Sequence, residues 1–163
     1  MEELIKELKI ALDNKLYITA INTCLIIPDI CSALQSSNGR TNGKKYSNWY
    51  NTYVSFKYKN NLRGTEVYKL RCASVHQGKY NENYENYEKI IFQPSGQIIM
   101  NNCIANNCLI LNIEIFVKDF INSYYEWKIE MKENPFYEKN IKQSFKYNPL
   151  GVSPYVVGTP IIA

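Results

Sequence analysis

Apolar residues return at helical spacing in five stretches of the chain. Leu4, Leu8, Ala11 and Leu12 form an i, i+4, i+7, i+8 stripe and predict a helix over 2–13, with Asp13-Asn14 as stop and cap. From about Lys15 to Leu34 the apolar positions, among them Ile18, Ile21, Cys24, Leu25 and Cys31, surround most of the circumference. Such a helix belongs at the centre of a fold. Pro28 lies inside it and orphans the Cys24 carbonyl, so a kink is expected there. The polar stretch 35–42 reads as a loop. A third helix, 44–56, carries Tyr46, Trp49, Tyr50 and Tyr53 on one side. Gly64-Thr65-Glu66 reads as a helix start, with Thr65 as cap and Glu66 at the positive end of the dipole. That fourth helix stops at Gln77-Gly78, where glycine can take the left-handed conformation.

The period then changes. Lys89 to Gln93 and Gln97 to Met100 flank Pro94-Ser95-Gly96 and predict a β-hairpin, with Cys108 to Leu111 as a short third strand. Asn112 can cap a long fifth helix striped by Ile113, Phe116, Val117, Phe120, Ile121, Tyr124 and Met131. From Asn134 onward prolines at 135, 149, 154 and 160 predict an extended tail. The expected architecture is mainly α: a bundle of about five helices over 1–133, a small β insertion at about 88–111, and a tail over 134–163.

Composition narrows the chemistry. The 163 residues are 45% hydrophobic and 21% charged, which excludes a disordered or collagen-like chain. A net charge of +4 permits a nucleic-acid partner without requiring one. One histidine, His76, rules out a histidine-rich zinc site within one chain, and no metal or cofactor is expected. The five cysteines include no C-x2-C pair and read as reduced thiols of a cytoplasmic protein. Neither a signal peptide nor a membrane partner is expected. The abundant Asn, Ile, Lys and Tyr match an AT-rich coding bias, so scattered tyrosines carry little functional weight. Tyr80, Tyr84 and Tyr87 are expected to pack a loop on the bundle rather than stack on bases. Arg40, Lys44 and Lys45 form the best small basic patch, a weak candidate for RNA contact.

The one constellation with evident chemistry is Leu70-Arg71-Cys72-Ala73-Ser74-Val75-His76-Gln77-Gly78. Arg71 and His76 form R-x4-H at a helix end, followed by glycine. Here the chain resembles the HEPN superfamily of small helical bundles, found in toxin, phage-defence and RNA-processing systems. More loosely, the Pro28–Leu34 segment and the Tyr46/Trp49 helix resemble a family of uncharacterised bacterial proteins of that kind. The residue after the arginine, often Asn, Asp or His in active members, is Cys72 here.

The resemblance implies a metal-independent endoribonuclease of toxin or phage-defence type. In that reaction the ribose 2′-hydroxyl attacks the adjacent phosphodiester, leaving a 2′,3′-cyclic phosphate and a 5′-hydroxyl. His76 would move protons and Arg71 would hold the phosphate, as their residue types allow. Asp29, Cys72 and Glu66 are supporting candidates, with Asp29 expected to pair with Arg71. Arg71 and His76 lie about 140° apart in azimuth on an ideal helix, so a wrapping cleft or a second protomer is expected to bring them together. The implied partners are RNA, a second copy of the chain, and a neighbouring antitoxin or defence component. The other reading is a non-catalytic nucleotide- or protein-binding module of the same fold.

Overall fold

The computed structural model describes residues 1–80 and 82–163. Among these are six α-helices: α1 (Glu2–Asp13), α2 (Tyr17–Leu34), α3 (Gly43–Tyr53), α4 (Gly64–Gln77), α5 (Ile113–Glu130) and α6 (Pro135–Ile141). The mainly α expectation holds. Short 3-10 turns follow α3 at Ser55–Tyr58 and α5 at Met131–Glu133, where helices were expected to run straight on.

α2 is the central element and packs against α1, α3, α4, α5 and α6. By length and composition it is the one helix among the described residues that could cross a membrane. Here its buried side chains, Ala20, Ile21, Cys24, Leu25, Ile27 and Cys31, are committed to the surrounding helices. α2 continues through Pro28, and the Tyr46 hydroxyl donates to the Leu25 carbonyl at 2.8 Å, one residue beyond the carbonyl that the proline leaves unbonded. Trp49 and Trp127 meet edge-on at 6.5 Å between centroids, and Phe116 and Phe120 lie 4.7 Å apart. Gly64 opens α4 against α3: a Cβ there would lie 2.3 Å from the Ser47 carbonyl oxygen, so the helices approach backbone to backbone. The α4 cap differs from expectation. The capping residue is Arg63 rather than Thr65, and its backbone N–H donates to the Glu66 carboxylate at 2.9 Å.

The β insertion is present, but its pairing is not the expected hairpin. β1 (Lys89–Gln93) runs parallel to the central strand β3 (Cys108–Asn112), and β2 (Cys103–Ala105) runs antiparallel to it. The tight turn is Asn106-Asn107, both with positive φ, a conformation asparagine tolerates. Pro94-Ser95-Gly96 does not reverse the chain into a strand, because its atoms are engaged elsewhere. Ser95 donates from N–H and hydroxyl to Glu114 at 3.0 and 2.9 Å. The Gln93 side chain ties Ile98 and Met100, substituting for a ladder over 97–100. β3 passes into α5 without a loop at Asn112. Asn112 Oδ1 accepts from Ile115 N–H at 3.0 Å, and its amide group reaches Ser95 Oγ at 3.0 Å.

The tail is not simply extended. α6 begins at Asn134-Pro135, with Asn134 Oδ1 accepting from Phe136 and Tyr137. Beyond it two small antiparallel pairs form, β4 (Tyr147–Asn148) with β7 (Ile161–Ile162) and β5 (Gly151–Val152) with β6 (Val156–Val157). Tyr84 and Tyr87 are buried against the bundle, as a packing loop requires; Asn81 lies outside the described residues.

Candidate functional site

The fourth helix ends in the candidate constellation. Gly78 adopts φ 64°, and its N–H returns to the Ser74 carbonyl while Lys79 N–H returns to Ala73. The helix stops there, leaving His76 in its exposed last turn.

Asp29, on α2, meets Arg71, on α4. Arg71 Nε donates to Asp29 Oδ2 at 2.7 Å, and both side chains are largely withdrawn from solvent, 22% and 14% exposed. The Asp29–Arg71 pairing expected from the sequence is therefore present. Arg71 Nη1 in turn lies 3.0 Å from His76 Nε2. Arginine only donates, so in this contact Nε2 is the acceptor, which assigns the ring N–H to Nδ1. Protonating Nε2 replaces that acceptor with a second donor and ends the contact. The 140° azimuthal offset proves no obstacle: the long arginine side chain spans it within one chain.

Charge and burial pull against each other here. Burial raises the Asp29 carboxyl above its ordinary range, against the opposing pull of Arg71 and His76. Partial burial disfavours the Arg71 charge, but Asp29 and the neighbouring Cys72 thiol outweigh it and raise the guanidinium further. Asp29 takes Nε and His76 takes one Nη1 proton. Three of the five guanidinium donors remain for an incoming anion. Tyr68 stands beside Cys72, which raises the Tyr68 hydroxyl by its charge, with burial as the second cause. The Tyr68 ring also packs against Gly43 at the start of α3, where a Cβ would lie 2.8 Å from it.

The other candidates separate. Glu66 is buried at the first turn of α4, where it caps Arg63, five residues before Arg71, and it belongs to the helix start. Its Oε1 and the Tyr87 hydroxyl are both buried without a hydrogen bond among the described residues. Lys45 is not a free cation: its Nζ donates to Asn38 Oδ1 at 3.1 Å and to the Arg40 carbonyl at 2.7 Å, stapling the 35–42 loop. Arg40 and Lys44 are exposed beside it. Among the described residues no group of three metal-ligating side chains converges.

One part of the site carried no sequence signal. A groove of about 430 Å³ runs from Asp29 along Ile30, Ala33 and Leu34 of α2, past Gly39 and Thr41 of the loop, to Asn140, Gln143, Ser144 and Phe145. Asn140 builds one wall by donating its amide to the carbonyls of Ala33, Leu34 and Ser36 at 3.4, 3.0 and 2.8 Å, tying α6 to the unsatisfied end of α2. Comparison with family models, with curated proteins and with solved structures finds no match to this chain.

Proposed function

We propose that this is a HEPN-like endoribonuclease that cleaves RNA by metal-independent transesterification at Arg71 and His76. The reading is supported above all by the continuous chain Asp29–Arg71–His76, with contacts of 2.7 and 3.0 Å, at the exposed end of α4. An incoming phosphate takes the free edge of the Arg71 guanidinium, bidentate and charge-assisted. His76 Nε2 turns from Nη1 to the substrate, where its lone pair accepts the proton of the 2′-hydroxyl. The 2′-oxygen forms its bond to phosphorus, the bond to the 5′-oxygen breaks, and the leaving oxygen takes a proton from water, which regains one from the protonated His76. General-base assistance of this kind contributes about 10²–10⁴-fold. Asp29 acts through Arg71 and is a positioning residue.

A single histidine does not easily serve both oxygens. A two-fold dimer would place a second His76 in the same cleft, since an isologous interface opposes identical patches. In this reading the protein is a toxin- or defence-type effector working in the cytoplasm.

The test is purified protein with end-labelled RNA in EDTA. Cuts leaving 2′,3′-cyclic phosphate, lost in His76→Ala and in Arg71→Ala, are expected. Intact RNA at high protein concentration would favour the non-catalytic binding module. Light scattering, and mixing of the two inactive variants, tests the shared cleft: restored activity in the mixture requires a dimer.

A further inference from the structure

We infer that the groove running from Asp29 to Phe145 is a nucleobase subsite beside the scissile phosphate, and that it selects a base carrying an exocyclic amino group. The inference rests on the reading of Arg71 and His76 as an RNA-cleaving pair and names what that pair would hold next to it.

Continuity is the first argument. Asp29 is shared: it lies on the groove wall and it also grips Arg71. Among the described residues Asp29 is the one that joins the groove to the Arg71 guanidinium, so in the proposed complex the base next to the phosphate enters on the Asp29 side. Charge assigns the two ends. A carboxylate repels a second phosphate, so the Asp29 end suits the uncharged base and the guanidinium end suits the anion.

Shape and lining agree with that assignment. The volume, about 430 Å³, lies within the range of small-molecule sites. Ile30 and Ala33 supply an apolar wall, and Phe145, 48% exposed, supplies a free ring face. Single-stranded RNA is read in this way, with bases splayed out, stacked on aromatic rings and hydrogen-bonded at their edges.

Hydrogen bonding supplies the selectivity. Arg71 engages Asp29 Oδ2, and among the described residues no hydrogen bond reaches Oδ1. A carboxylate oxygen only accepts. It therefore favours adenine, cytosine and guanine, whose exocyclic amino groups donate, over uracil, which carries none.

The experiment is fluorescence anisotropy with short labelled oligonucleotides of A, C or U that lack the 2′-hydroxyl and so cannot be cut, alongside cleavage of the matching RNAs. The wild-type chain should bind A and C at least about tenfold tighter than U. Phe145→Ala should lose about tenfold in affinity for A and C, a typical stacking loss, and Phe145→Trp should restore it. Asp29→Asn, whose amide both donates and accepts, should erase the discrimination. Equal binding of A, C and U by the wild-type chain overturns the subsite, as does an unchanged affinity in Phe145→Ala. RNA cleavage without base preference overturns the subsite and leaves the nuclease reading standing. Base-selective binding without any cleavage does the reverse. No binding to any oligonucleotide overturns the subsite, and the absence of RNA cleavage as well overturns both.

Discussion

Between Glu2 and Glu130 the chain closes most of its aromatic side chains into one interior; from Phe145 onward it leaves them in water. Trp49, Tyr50, Phe116, Phe120 and Trp127 are all buried, whereas Tyr155 is 84% exposed and Leu150 76%. The two regions also differ in charge. The bundle threads ion pairs and charged hydrogen bonds through its seams, as at Asp29–Arg71 and at Asp119, which accepts from Tyr58 at 2.9 Å. Residues 147–163 contain no charged side chain. The total accessible surface is 9493 Å², against about 8,400 Å² for a compact monomer of this mass. A small set of two-residue strands that buries almost nothing accounts for an excess of this kind. Folding free energy therefore resides in the helices, while the tail is held through α6 and its Asn140 clamp.

That contrast can be broken most directly by equal truncations in the two regions. Leu25→Ala, at a fully buried site on α2, should cost about 2–5 kcal/mol, and Leu150→Ala should stay within about 0.5 kcal/mol, both read from denaturant midpoints. A large loss at Leu150 would mean that the tail is part of the cooperative core. Next in size is Gly64→Ala. Its Cβ would collide with the Ser47 backbone, so α3 and α4 must part, at about 1–3 kcal/mol. An unchanged thermal midpoint would refute the close approach.

Asp29→Asn should separate stability from function. Because burial raises the Asp29 pKa, the ionised carboxylate costs stability above its folded pKa, and that cost is relieved as pH falls through it. The amide should therefore hold the melting temperature within about 3 °C, while cleavage falls about tenfold or more as Arg71 loses its aim. The smallest effect belongs to Glu2. Partial burial raises its pKa, but hydrogen bonds from Lys128 and Tyr124 outweigh this and leave it below the usual value. Its contribution is present above the ordinary carboxylate pKa and is lost as pH falls through the lower, folded one. Exposed as the pair is, Glu2→Gln should cost under about 0.5 kcal/mol, less in high salt.

The five long helices were legible because each carries an apolar stripe or, in α2, an apolar surface all round, and α1 and α4 also carry recognisable stops. α6 was not: seven residues hold no stripe, and Pro135 reads as a breaker although proline at the first helical position starts a helix behind an Asn cap. Asn134-Pro135 was the available signal. The strand pairing was hidden because β1 and β3 are parallel neighbours with β2 threaded between them in sequence, and no local pattern encodes that. At the site, the Asp29–Arg71 pair followed from the cost of burying a charge. The direct Arg71–His76 contact did not, since azimuth around a helix ignores the reach of a side chain. The groove joins α2, a loop and α6, which meet only in three dimensions.

The loop-free junction at Asn112 fixes where the chain can change length. Adding one residue there would turn the apolar stripe of α5 by about 100° relative to the sheet. It would also exchange the inner and outer faces of β3. The 35–42, 82–88 and 94–102 connections have no such double lock and can absorb insertions. Over evolutionary time, gaps in this fold should gather in those connections, while the step from strand to helix keeps a constant count of residues.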